Sequence, residues 1–147
     1  PETAERLVKG TPHAFDAAFS PDGRWIAYTS DRTLNRWQIY VQAYPDGTPE
    51  IVSTEGGRNP VWNPTQPAGE LFYQLAGSVW AVQIVNGRRV GDPDFLFDRE
   101  GAGGERNWDV ASDGQRFLVA GTTRTKRHIN VVTNWFEELK AKVRAGR

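Results

Sequence analysis

Short apolar runs alternate along this chain with turn-forming clusters, and the alternation has the period of strands. Residues 25–30 set Ile26 and Tyr28 against Ala27 and Thr29, the two-residue period of a half-buried strand. Residues 16–19 lead into Ser20-Pro21-Asp22-Gly23, where proline presets φ, aspartate bonds nearby main chain and glycine accepts positive φ without steric cost. Two strands about this turn predict a hairpin. Beyond a polar loop, residues 37–42 give a third strand rich in aromatic and β-branched side chains. Pro45-Asp46-Gly47 turns the chain again, and residues 50–53 give a fourth, shorter strand.

The unit, with strands a to d, then recurs. Its second copy places strands at residues 60–62, 71–74, 79–85 and 95–97, with Asn86-Gly87 between the last two. That dipeptide suits a type I′ hairpin, which needs positive φ at both central positions. The third copy places strands at 108–110, 116–120 and 129–133 and lacks strand d. Aligning Ile26, Leu71 and Phe117 gives steps of 45 and 46 residues, the length of one four-stranded propeller blade. The expected fold is therefore all-β: a β-propeller of three blades per chain, at 15–57, 58–103 and 105–133, the last holding strands a to c. Where the third unit would turn back, Asn134 can cap a helix, Glu137 follows three residues later, and Phe136, Leu139 and Val143 fall at helical spacing. A short C-terminal helix over 134–144 is predicted.

At the other end, residues 4–10 resemble 49–53 and read as a strand d without its own a, b and c. The strand list thus has a spare strap at one end and a gap at the other. A bare edge on the last blade would leave hydrogen-bonding groups unpaired. Three blades do not close a ring, which takes about four to eight, and two chains supply six. The expectation is a homodimer in which Arg6, Leu7 and Val8 of one chain pair beside strand c of the other, at Ile129 and Val131. The alternative is half of a longer chain that closes alone. With no methionine even at its start, the chain reads as a processed or excised piece.

The recurring phrase resembles the TolB-like (WD40-like) β-propeller repeat, approximately W-S-P-D-G-x-x-I-A-F followed by a strand like I-Y-V. Phe19-Ser20-Pro21-Asp22-Gly23 with Ile26-Ala27-Tyr28 and Ile39-Tyr40-Val41 carries the resemblance; Trp62-Asn63-Pro64 with Leu71-Phe72-Tyr73, and Asp113-Gly114 with Phe117-Leu118-Val119, repeat it. It spans about residues 7–133. The ending, from Ile129 through Trp135 to Leu139, is similar to the C-termini of bacterial proteins that carry such propellers, sometimes behind a Ser/Thr kinase domain. The resemblance implies a propeller, often six-bladed, used as a scaffold or sensor module and commonly outside the cytoplasm, as in the periplasm. It carries no ligand across.

Charge and chemistry narrow the function classes. Eighteen basic and eighteen acidic residues cancel, which argues against nucleic acid or an anionic membrane as the partner. No run approaches the roughly 18 apolar residues of a membrane helix. Cysteine is absent, which removes disulfides and thiolate metal sites. His13 and His128 have no partner at metal-ligand spacing, and Asp22, Asp46 and Asp113 lie on separate turns instead of one calcium loop. There is no G-x-S-x-G elbow and no phosphate-cradling glycine loop; Gly101-Ala102-Gly103-Gly104, after Asp98-Arg99-Glu100, reads as a connector between blades. Arg124, Lys126 and Arg127 read as solvated charge. Six tryptophans, two per unit, read as blade-to-blade packing. No cofactor, no metal and no enzymatic activity are expected.

A binding surface is expected where each strand a begins, because innermost strands and their entry loops surround the central channel. Those positions are His13 and Asp16, Arg58 and Asn59, and Arg106 and Asn107. They would form a polar ring at one mouth, suited to a protein, a peptide or a small polar ligand. The leading reading is a non-enzymatic scaffold or binding module that self-associates. The competing one is a sensor or ligand-binding propeller fragment of a larger bacterial signalling protein or of a propeller-bearing hydrolase.

Overall fold

The computed structural model describes residues 13–33, 36–66, 69–99, 107–123 and 126–133, and every regular element among them is a strand. The first sheet holds β1 (Ala14–Phe19), β2 (Trp25–Ser30), β3 (Gln38–Ala43) and β4 (Glu50–Ile51). The second holds β5 (Arg58–Trp62), β6 (Glu70–Leu75), β7 (Ser78–Val85) and β8 (Arg88–Asp98). The third holds β9 (Trp108–Val110), β10 (Arg116–Thr123) and β11 (Lys126–Thr133). Each sheet is antiparallel, with its strands in chain order across it. The strap expected over 4–10 and the helix expected over 134–144 lie outside the described residues.

The a–b turns follow from their residues. Gly23 N–H donates to Ser20 O at 2.8 Å and Ser20 N–H to Trp25 O at 2.9 Å; in the third sheet, Gly114 donates to Ala111 O and Ala111 to Arg116 O, both at 2.8 Å. Asp22 accepts from Ser20 Oγ at 2.6 Å and from the Arg24 main chain at 3.1 Å. These bonds, with the Arg24 side chain, hold its carboxyl down at about 2. Asn86 and Gly87 have φ of 50° and 74° between the register partners Val85 and Arg88, the two-residue loop that the dipeptide calls for. β8 is 11 residues long, well beyond the predicted 95–97. Its pairing runs on from this tight turn, and two irregularities opposite Val79 to Gln83 absorb the surplus.

Strand alternation decides which side chains meet between sheets. Ala27, Ile39, Val41 and Val52 of the first repeat pack against Trp62, Leu71, Tyr73, Val82 and Ile84 of the second. The other face of the second sheet sets Val61, Phe72, Val79 and Ala81 against Trp108, Phe117 and Val119 of the third. Ile26, Tyr28 and Tyr40 form a third buried cluster on the first sheet's other face. Trp62 also donates its Nε1–H to Ala18 O at 3.1 Å, tying the second sheet to the first. β1 and β5 lie side by side where the two sheets meet.

One buried carboxylate gives the fold a pH dependence. Glu70 is 5% exposed and accepts from Asn63 Nδ2 at 2.6 Å and Gln83 Nε2 at 2.8 Å. Burial nevertheless pushes its carboxyl above the usual range, with Asp94 adding to the rise and the two amide bonds opposing it. The native state therefore holds this proton after the unfolded chain has released it. Stability from this group is complete below the ordinary value of 4.5 and is lost as pH rises through the raised native value. Urea midpoints should fall over that window in the wild type, and Glu70→Gln should flatten the fall. A slope unchanged in the variant would rule out this assignment.

Candidate functional site

Antiparallel pairing in chain order brings the starts of β1, β3, β5 and β7 and the ends of β2, β4, β6 and β8 to one end of the stacked sheets. An aromatic and cationic cluster forms there. Trp37, just before β3, has the Phe15 ring 4.7 Å away edge-to-face and the His13 ring at 6.0 Å. The Arg58 guanidinium lies 5.1 Å from the Trp37 ring centroid and 5.9 Å from that of Phe15, within the reach of cation–π attraction. His13 Nδ1 is 2.8 Å from the Asp31 carboxylate. A cavity of about 220 Å³ opens beside the cluster, lined by Trp37, Arg58 and Gln74 among others. On its rim, Arg36 pairs with Glu55 at 3.7 Å.

Asp16 and Asn59 occupy equivalent bulges, each with φ of 55°, a conformation that Asn and Asp tolerate better than most side chains. Asn59 turns inward. It is 1% exposed, its main-chain N–H donates to Thr29 Oγ1 of the first sheet at 3.2 Å, and its Nδ2 donates to Gln74 Oε1 at 2.9 Å. Arg58 stands directly opposite Gln74 in the β5–β6 register. The same Gln74 oxygen accepts Nη1 of Arg99 at 2.7 Å. Arg99 is 5% exposed, burial lowers its pKa, and its main-chain N–H donates to Gly77 O at 2.8 Å.

The expected mouth residues thus divide. His13 and Arg58 meet around Trp37, and Asp16 and Asn59 shape the bulges. Asn107 belongs to the third sheet, where its Nδ2 donates to Ala120 O at 2.7 Å and its Oδ1 is buried without a partner. It lines a cavity of about 410 Å³ with Trp108, Asp109, Leu118 and Ala120. Arg106 lies outside the described residues. Sequence reading missed Phe15, Trp37, Gln74 and Arg99. Trp37 and Gln74 read there as ordinary strand residues and Arg99 as connector charge; only the strand-end register brings them to this site. Among the described residues no group of three or more His, Cys, Asp or Glu is placed to hold a metal.

No family model and no curated protein matches the sequence. Among solved structures, TolB from Acinetobacter baumannii superposes with a TM-score of 0.67 at 16% identity, covering 88% of this chain and 32% of that one. The fold is that of a TolB-like β-propeller. A puromycin-hydrolyzing peptidase from Mycobacterium tuberculosis shares it, with a TM-score of 0.63 at 21% identity over 88% of this chain and 22% of that one. The three sheets are therefore blades, and the site lies at the end of the propeller where its first strands begin. The chain spans less than a third of the peptidase and about a third of TolB.

Proposed function

We propose that the chain is a non-enzymatic propeller module for scaffolding or binding that self-associates, two three-bladed copies closing a six-bladed ring. One register pair carries the reading. Ala27 with Val41, Phe72 with Ala81, and Leu118 with Val131 hold equivalent cross-strand positions in the three sheets. The first two pairs are at most 4% exposed, each covered by the next blade, whereas Leu118 and Val131 are 49% and 58% exposed. An apolar pair in a blade-facing position is matched by a further blade, and a second copy supplies one.

Among the described residues the third sheet has three strands where its neighbours have four, with β11 at its edge. Strand exchange would fill that edge: Arg6, Leu7 and Val8 of the partner copy would pair along β11 at Ile129 and Val131. The TolB-like fold supports an extracytoplasmic setting for such a module. Light scattering on a sizing column tests the assembly. The expected mass is twice 16.5 kDa, reverting to the monomer when Leu118 and Val131 are both replaced by Glu. A wild type that stays monomeric at every concentration overturns the self-association.

A further inference from the structure

A second cavity, of about 340 Å³, belongs wholly to the first blade and is separate from the cluster around Trp37. Its walls include Arg32, Gln42, Asp46 and Thr48. Val41 faces the second blade, so strand alternation turns its neighbour Gln42 to the opposite face, with Tyr28 and Tyr40. Gln42 is 3% exposed, and its Oε1 accepts from Tyr28 Oη at 3.1 Å. Its Nε2 donates to no described residue and is not sealed from open space; for a side chain in this wall, that space is the cavity. A buried amide with its acceptor used and its donors turned to a recess is half of a hydrogen-bonding site.

Two opposite charges share that wall. Arg32 follows β2, where its main-chain N–H donates to Ser30 Oγ at 3.2 Å. Its guanidinium lies close enough to Tyr28 to oppose the rise that burial imposes on that phenol, so Tyr28 touches both Arg32 and Gln42. Asp46 and Thr48 enter from the loop between β3 and β4. Among the described residues neither Arg32 nor Asp46 has an ion-pair partner; they line one cavity without pairing with each other. A plain anion would meet Asp46 and a plain cation would meet Arg32, whereas a molecule carrying both charges satisfies each. The volume is in the range of small-molecule pockets. We infer that this cavity binds a small zwitterion of the α-amino-acid type: its carboxylate on Arg32 and Gln42 Nε2, its ammonium on Asp46, and the Thr48 hydroxyl at its polar remainder. All four residues come from one blade, so the site does not depend on ring closure.

The test uses the whole chain and the standard α-amino acids, screened singly, with the N-acetyl and carboxamide derivatives of any that binds. At least one amino acid is expected to raise the melting temperature and to shift the Gln42 side-chain amide in a nitrogen-correlated NMR spectrum, a signal that reports this cavity and not the one beside Trp37. N-acetylation removes the ammonium and the carboxamide removes the carboxylate; each should weaken binding about tenfold or more. Asp46→Asn should abolish the preference for the amino acid over its N-acetyl form, and Arg32→Gln the preference over its carboxamide. Both side chains are exposed, so these variants keep the fold. The inference is overturned if no amino acid moves the Gln42 amide in the unaltered chain, if either derivative binds as tightly as its parent, or if either variant keeps the wild-type preference.

Discussion

Phe117→Ala is expected to lower the free energy of unfolding by about 3–5 kcal/mol, the range for deleting a fully buried aromatic side chain. Phe117 is 0% exposed, and among the described residues its ring meets Phe72 at 4.9 Å, Phe97 at 5.1 Å and Trp108 at 6.1 Å. Phe72 and Phe97 belong to the second blade, so this one side chain joins the second and third. Alanine would leave a cavity walled by three rigid rings, which relax poorly into the space. The third blade packs on the second through this face, while its opposite face exposes Leu118 and Val131. Urea unfolding at concentrations where the chain is monomeric should show the loss, and hydrogen exchange should show β10 and β11 opening before the first two blades. A cost under about 1 kcal/mol, typical of a surface site, would mean that the third blade is held by something else.

Gly87→Ala is expected to cost about 2–5 kcal/mol through two separate effects. Its φ of 74° lies in the left-handed region, where a Cβ costs roughly 1–2 kcal/mol. A Cβ would also run into the Trp25 ring of the first blade, overlapping Cζ3 and lying 2.6 Å from Cη2 and 2.8 Å from Cε3. Trp25 is partly buried and packs against the core shared by the first two blades, so displacing it adds an overpacking cost of about 1–3 kcal/mol. Trp25→Ala in the same background separates the two, because it removes the obstruction and leaves the backbone strain. If Gly87→Ala costs the same with and without Trp25, the ring contact contributes nothing. Gly77 has φ of 89° in the matching hairpin at the other end of the blade, with nothing within 4 Å of its Cβ position; alanine there should show the backbone cost alone.

These two sites show how far local sequence reaches. The Asn86-Gly87 hairpin, the Asp-Gly turns and the repeat of 45 to 46 residues were legible because each depends on a few adjacent residues whose φ preferences or side-chain bonds act within the turn. The Ala76-Gly77 turn was not: alanine holds φ of 50° there against its own preference, because β6 and β7 pair right up to the loop. The site was legible in part for the same reason. Arg58 and Asn59 could be placed at a strand start from the repeat alone. That Asn59 would point inward to Thr29, or that Arg99, 41 residues on from Arg58, would share Gln74 with it, depends on bulge geometry and on two strand registers.

Sequence by itself determined the blade: four short strands, the turns that join them, and alternation with a period of two, since these follow from steric and hydrogen-bonding preferences within a few residues. Tertiary structure alone decided what each face of a blade meets. Leu118 and Val131 carry the same apolar pattern as Phe72 and Ala81, and nothing local tells them apart. The difference between a buried pair and an exposed one lies in whether another sheet stands about 10 Å away, and that is a property of the assembled stack.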